Sequence, residues 1–103
     1  KNFMNKGLSL LGLAFRSGNL VSGEFMAEKA IKEGPAKVVI VSEDASENTK
    51  KHFRDMCNYR KIPVFFYATK EELGKAIGRE MRASLAVTDA GMAANIIGHL
   101  EER

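Results

Sequence analysis

Residues 18–51, GNLVSGEFMAEKAIKEGPAKVVIVSEDASENTKK, contain a turn, a helix, a strand, an acidic turn and the start of a basic helix. The run Val38–Val41 is apolar at every position. A strand that is apolar on both faces is covered on both faces, so we expect this one at the centre of a sheet. Gly34 and Pro35 end the preceding helix, because glycine permits the closing turn and proline cannot continue the helix.

The rest of the chain also alternates between helix and strand patterns. Strands are predicted at 20–21, 37–42, 62–67 and 85–87, and Pro63, near the start of the third, is compatible only with the first position of a strand or with a sheet edge. The first and last helices follow from apolar stripes at Met4, Leu8, Leu11 and Phe15, and at Ala93, Ile96, Ile97 and Leu100. Such alternation places helices on both faces of a sheet. We therefore predict an α/β protein: a three-layer α/β/α sandwich with a small mixed four-stranded sheet, forming one domain over 1–103.

Polar residues are predicted to cap three helix starts. Ser22 precedes the second helix, where a hydroxyl can accept a hydrogen bond from a backbone N–H. Asp44 with Glu47, and Thr69 with Glu72, have the spacing of a capping box and predict the starts of the third and fourth helices. The buried face predicted for the third helix is Thr49, Phe53, Met56 and Cys57.

Composition restricts the compartment and the partners. The 103 residues carry a net charge of +3, which favours an anionic partner. A single cysteine, Cys57, excludes an internal disulfide framework and favours a reducing compartment. No apolar run approaches the roughly 18 residues that span a bilayer, and no secretory signal is recognisable. We expect a cytoplasmic protein that does not bind membranes.

Enzyme signatures are few. His52 and His99 do not stand at a metal-ligand spacing with Cys57, and zinc sites normally need three or four such ligands. A Gly-rich phosphate-binding loop is also missing. We therefore predict no catalytic residue, no metal and no cofactor. Glu43 and Asp44 lie at the carboxyl edge of the central strand, where α/β sheets place ligands, and they keep a small enzyme as a minor alternative.

An aromatic residue faces away from the core in the second helix. On a helical wheel over 22–33, Phe25 falls opposite the alanine-rich packing face and beside Lys29 and Lys32. A phenyl ring among ammonium groups suits stacking or contact with a polyanion. The alternative is a singly exposed apolar residue, which soluble proteins commonly have.

Two further segments are basic. In the loop GREMRAS, Arg79 and Arg82 flank Met81, an arrangement that suits guanidinium contacts to phosphate and apolar contact with an unstacked base. The third helix and its end carry cations that only Asp55 opposes between 50 and 61. Those cations are Lys50, Lys51, Arg54, Arg60 and Lys61. They form either a solvated face or a phosphate-contact surface.

These segments resemble a known family. LLGLAFRSGNLVSG (10–23), KVVIVSEDASENTKK (37–51) and IPVFFYATKEELGKAIGREMRASLAVTD (62–89) are similar, in order and spacing, to the kink-turn-binding ribosomal protein superfamily. The chain looks closest to its small bacterial members, often described as probable ribosomal proteins. The resemblance covers nearly the whole chain and implies the same α/β/α sandwich. It also implies that RNA is held by residues 23–29, 43–45 and 79–84.

One motif departs from that family. Its second helix has Gly, any residue, Asn, Glu, two more residues, then Lys; Gly23 and Lys29 match, whereas Phe25 and Met26 replace the Asn and Glu. In the family, that Asn and Glu hydrogen-bond the sheared G·A pairs of the kink-turn. A phenyl and a thioether cannot, and each buried base edge left unpaired costs about 1–3 kcal/mol. The resemblance thus implies RNA binding with a different or looser target, on which Phe25 stacks.

The leading hypothesis is a non-catalytic, monomeric RNA-binding protein, associated with the ribosome or with structured, kink-turn-like RNA; ribosomal RNA is one candidate. The predicted RNA-binding residues are Ser22, Gly23, Glu24, Phe25, Lys29, Lys32, Glu43, Arg79, Met81, Arg82 and Ala83. The alternative is a protein-interaction adaptor of the same fold, because some members of the superfamily act through protein partners.

Overall fold

The computed structural model describes residues 5–101, in which five helices surround a four-stranded sheet. The elements are α1 (Lys6–Arg16), β1 (Leu20–Ser22), α2 (Glu24–Glu33), β2 (Val38–Val41), α3 (Glu47–Arg60), β3 (Val64–Phe66), α4 (Lys70–Ala76), β4 (Ser84–Val87) and α5 (Ala90–Glu101). This order confirms the predicted alternation. Met4, which opens the predicted first stripe, lies outside the described residues.

The sheet is mixed, as predicted. Its strand order is β1-β4-β2-β3; β2 and β3 are parallel, and the other two pairs are antiparallel. Every residue of β2 is buried, which confirms its central place. Pro63 precedes the edge strand β3, and its carbonyl accepts a hydrogen bond from the Val39 N–H at 3.0 Å. Both β2 and β3 are shorter than predicted by one or two residues at each end.

Two cores lie on opposite faces of the sheet. In β2, Val38 and Ile40 face the core formed with α1, α4 and α5, whereas Val39 and Val41 face the core formed with α2 and α3. Successive residues of a strand point to opposite faces, so one apolar strand contributes to both cores. The predicted three-layer sandwich is therefore confirmed. Within residues 5–101, no helix has the length and apolar character needed to cross a membrane.

Helix α2 does not begin as predicted. Ser22 pairs with Leu85 as the last residue of β1. The N-cap position belongs to Gly23, which has φ of 95° and provides no side-chain cap. The turn from strand to helix needs a positive φ that glycine adopts without strain, so the N-cap lies one residue later than predicted, at a residue without a hydroxyl.

The predicted capping box at the start of α3 is also wrong. The N-cap is Ser46, whose hydroxyl accepts from the Thr49 N–H at 3.1 Å. Asp44 instead accepts from the Lys70 N–H at 3.0 Å, so it caps the start of α4. Spacing alone could not distinguish these options, since Ser46 and Asp44 are both acceptable cap residues.

The other predicted helix ends are confirmed. Thr69 and Glu72 form a reciprocal capping box at the start of α4. Gly34 ends α2 in the left-handed conformation, with φ of 104°. In α3, Phe53, Met56 and Cys57 are buried, whereas Thr49 is only partly buried.

Gly74 allows helix α4 to lie directly against the backbone of the following loop. A methyl group at this position would overlap the carbonyl group of Glu80. We therefore expect Gly74→Ala to lower the free energy of unfolding by about 1–3 kcal/mol, the usual cost of overpacking. Gly98→Ala is the matched control, because a methyl group at Gly98 meets nothing within 4 Å. It should raise the unfolding free energy by about 0.5–1 kcal/mol. Urea denaturation measures the free energy of unfolding of both variants. Equal changes in the two variants would contradict the predicted overlap between a methyl group at position 74 and the Glu80 carbonyl.

Candidate functional site

Backbone hydrogen bonds bring three predicted segments together at one edge of the sheet. The Gly23 N–H donates to the Ser84 carbonyl at 2.9 Å, and the Ser42 N–H donates to the Ala83 carbonyl at 2.9 Å. The Glu43 N–H donates to the Ala68 carbonyl at 2.7 Å. The start of α2, the turn after β2 and the loop before β4 are therefore fixed relative to one another by main-chain groups.

Arg82 lies at this junction. Its Nε donates to the Ser22 hydroxyl at 3.3 Å, and its Nη1 donates to the Met81 carbonyl at 3.0 Å. Its backbone N–H donates to the Lys70 carbonyl at 3.0 Å. The half-buried side chain is thus held beside the start of α2, so a positive charge stands next to the helix N-terminus.

The loop before β4 borders an open groove of about 730 Å³. The groove is lined by Glu71, Lys75, Gly78, Arg79, Glu80, Met81 and Arg82. Met81 is 65% exposed within it. The guanidinium of Arg79 lies 4.9 Å from the centre of the Phe15 ring of α1, which fixes that charge by a cation–π contact.

Helix α2 presents a second groove, of about 340 Å³, lined by Phe25, Glu28, Lys29, Lys32 and Glu33. Phe25 is 75% exposed, so the outward aromatic residue is confirmed. Lys32 pairs with Glu28 at 2.7 Å, and this hydrogen bond, helped by His52, lowers the pKa of Glu28. The charge of Lys32 is therefore compensated, whereas Lys29 lies outside the ion pairs of residues 5–101.

The predicted site residues thus fall into two groups. Ser22, Gly23, Arg82 and Ala83 are joined by the hydrogen bonds at the sheet edge, and Arg79 and Met81 share the first groove with Arg82. Phe25, Lys29 and Lys32 line the second groove, on the helix that follows Ser22. Lys29 is not part of the first groove. Glu24 is exposed in the first turn of α2, and Glu43 is exposed on the turn after β2.

Three residues that form or support the candidate site were not predicted from the sequence. Lys75 lines the first groove, Phe15 supports Arg79, and Lys70 bonds both Arg82 and Asp44 through its backbone. Lys75 could have been found from its place on the outward side of the predicted fourth helix. The contacts of Phe15 and Lys70 join segments distant in sequence, and nothing in a single sequence indicates them.

His, Cys, Asp and Glu side chains are the remaining candidates for metal or thiol chemistry. In the part of the chain from 5 to 101, no three His, Cys, Asp or Glu side chains are placed to hold a metal ion. Cys57 is buried, and desolvation raises the pKa of its thiol to about 11. It is therefore protonated at neutral pH and packs as an apolar residue, as its predicted place on α3 indicated.

A family model and two relatives among known proteins match most of this chain. The model of the ribosomal protein L7Ae/L30e/S12e/Gadd45 family matches residues 5–97. The RNA-binding protein YlxQ of Bacillus subtilis is 46% identical over 92 residues, which is 89% of this chain and 92% of that protein. The large ribosomal subunit protein eL8 of Cenarchaeum symbiosum is 32% identical over 98 residues, 94% of this chain and 78% of that protein.

A solved structure shows the same fold. A protein of unknown function from Bacillus halodurans superimposes with a TM-score of 0.92 at 39% identity, covering 95% of this chain and 99% of that one.

The Asp44 carboxylate links the turn after β2 to α4, and its ionisation should affect stability. Desolvation acts to raise the pKa of Asp44, but the Lys70 N–H, with further hydrogen bonds, lowers it overall. A lowered pKa in the folded state stabilises the protein above the unfolded-state pKa, and this contribution is lost as the pH falls through the folded pKa.

We therefore expect Asp44→Asn, which keeps an acceptor oxygen but cannot ionise, to melt at a lower temperature than the wild type at neutral pH. The difference should vanish in strong acid. Asp44→Ala, which also loses the acceptor, should remain the less stable variant throughout. Thermal unfolding across a pH series measures this; a constant gap between wild type and Asp44→Asn would contradict the role of the charge.

Proposed function

This chain belongs to the ribosomal protein L7Ae/L30e/S12e/Gadd45 family, and on that premise we propose that it is a non-catalytic protein that binds structured RNA through one domain. One observation carries the proposal: the Arg82–Ser22 hydrogen bond holds the arginine-containing loop against the start of α2. The name of the Bacillus subtilis relative, an RNA-binding protein, supports the same function.

Phosphate groups would be bound at and beyond the start of α2. The N-cap Gly23 offers no side-chain acceptor to this helix end, so the first N–H groups of α2 are left for an external anion. The positive end of the helix dipole favours the same ligand. Arg82 stands beside this end and Lys29 lies further along the same helix, so a bound RNA strand would meet both charges.

Unpaired bases would be covered by two exposed side chains. Phe25 and Met81 are 75% and 65% exposed, and each is accompanied by cations in its groove. Apolar and aromatic surfaces bind splayed-out bases, while neighbouring cations bind the backbone. Phe25 would thus stack on a base.

We propose a kink-turn-like RNA as the target and the ribosome as its setting, with ribosomal RNA the simplest source. The identity to a large ribosomal subunit protein supports this setting, which is cytoplasmic. A monomer suffices, since the start of α2, the turn after β2 and the loop before β4 all come from one chain.

Lys29→Ala should weaken binding to a kink-turn RNA about tenfold, the usual loss for a charge-assisted contact. It should also reduce the slope of log affinity against log salt by about one, since one phosphate contact is lost. The matched control is Lys37→Ala: Lys37 is exposed but precedes β2, at the end of the sheet opposite the turn after β2. Fluorescence anisotropy at several salt concentrations measures both. If both variants lose the same affinity, the site is misplaced.

The double variant Phe25→Asn, Met26→Glu restores the residues that the family motif has at these positions. Both side chains are exposed, so the fold should tolerate the change. We expect this variant to prefer a kink-turn RNA over a matched duplex without tandem G·A pairs more strongly than the wild type, by at least about tenfold. Competition titration of the two RNAs measures this preference. An unchanged ratio would show that residues 25 and 26 do not contact those pairs.

A further inference from the structure

We propose that the C-terminal end of α3 is a second RNA contact, specific for an unpaired strand, formed by Tyr59, Arg60 and Lys61. This proposal rests on the proposed function and extends it. Helix α3 begins beside the turn after β2 and is 14 residues long. At 1.5 Å per residue, its last turn lies about 20 Å from that edge of the sheet. The two contacts are therefore separate surfaces.

Most of the Tyr59 ring is exposed to solvent, so a base could stack on it. It is 82% exposed, more than Phe25 or Met81, so its burial contributes little to folding. The guanidinium of Arg60 lies 5.2 Å from the ring centre. A cation beside the ring leaves its remaining surface open, and a base stacked there would have a positive charge next to it.

Lys61 is held in an unfavourable backbone conformation. It ends α3 with φ of 60° and ψ of 40°, the left-handed region that glycine normally occupies after a helix. The side chain is exposed. Cations near a helix C-terminus also interact favourably with the helix dipole, which offers a purely structural reason for the lysine. The variant Lys61→Gly separates the two roles.

The charges around Tyr59 favour an anion. Lys51 pairs with Asp55 at 2.8 Å, so the one acidic side chain a helical turn before Tyr59 is neutralised. Arg60 and Lys61 take part in none of the ion pairs described for residues 5–101. The guanidinium of Arg54, on the same helix, lies 5.2 Å from the ring of Phe66 in the edge strand β3. The end of α3 therefore carries surplus positive charge beside an exposed ring.

An unpaired RNA strand fits this surface better than a duplex. Stacking on an exposed ring needs a base that is not already stacked within a helix, and the cations would bind its phosphates. Tyr59 itself reports such stacking. The chain has two tyrosines and no tryptophan. Tyr67 is 6% exposed and its hydroxyl donates to Asn5 Oδ1, so ligand-dependent tyrosine fluorescence would come from Tyr59.

The test is titration of the full chain with a short oligouridine RNA. We expect it to quench tyrosine fluorescence. By fluorescence anisotropy, Tyr59→Ala should lose about tenfold in affinity, whereas Tyr59→Phe should keep the affinity while losing the signal. Binding that leaves the fluorescence of the wild type unchanged would overturn the proposal, because the RNA would then lie elsewhere.

Lys61→Gly separates binding from folding. Glycine relieves the backbone strain, so the variant should melt no lower than the wild type. Its affinity for oligouridine should nevertheless fall about threefold, with a salt slope smaller by about one. Unchanged affinity would show that the lysine serves only the helix end and would overturn its place in the site.

The quenching of Tyr59 is independent of the first site, because Tyr59 lies on α3. Lys29→Ala should leave the oligouridine quenching intact, because Lys29 lies on α2. If Lys29→Ala fails to weaken kink-turn RNA binding but oligouridine still quenches Tyr59, the α2 site is wrong and the α3 contact stands. If kink-turn binding responds to Lys29→Ala but no quenching occurs, the α3 contact is wrong and the proposed function stands.

Discussion

Hydrogen bonding between the antiparallel strands β2 and β4 determines where the candidate site lies. In this register Val41 faces Ser84, so the end of β2 and the start of β4 meet at one edge of the sheet. Because β1 is also antiparallel to β4, its last residue, Ser22, arrives at the same edge. Three loops that are distant in sequence are thereby brought together, and two main-chain hydrogen bonds then fix them.

That edge combines fixed charges with exposed apolar side chains. Arg82 and Arg79 are each held by contacts to other segments, one to the Ser22 hydroxyl and one to the Phe15 ring. Phe25 and Met81 extend into solvent. Placing charges in advance lowers the entropy lost when a ligand binds, while the exposed side chains can adapt to the ligand.

The fold could be predicted from the sequence because its strongest signals are local. Four successive apolar residues in β2 indicated a central strand, and Pro63 limited its strand to an edge or placed the proline at the strand's start. Ser22 and Asp44 were misassigned because a cap residue is chosen by backbone geometry that a spacing rule does not contain: a positive φ at Gly23, and the position of α4 beside Asp44.

The site was harder to predict, because its assembly depends on strand order. Composition and spacing indicated basic loops, and the family resemblance indicated which of them act together. The compensation of Lys32 by Glu28 is local, since the two residues are four apart on one helix, and could have been predicted from their spacing. The support of Arg79 by Phe15 required the three-dimensional arrangement. The exposed ring of Tyr59 was likewise not distinguishable from the other residues of a basic helix.

The contact between Gly74 and the Glu80 carbonyl has a consequence for how this protein can diverge. A loop whose main chain rests on a helix cannot easily gain or lose residues, since any change of length would lift it from that support. Its side chains, which point into the groove, are under no such restriction. New ligand preferences at this position should therefore arise through substitutions rather than insertions.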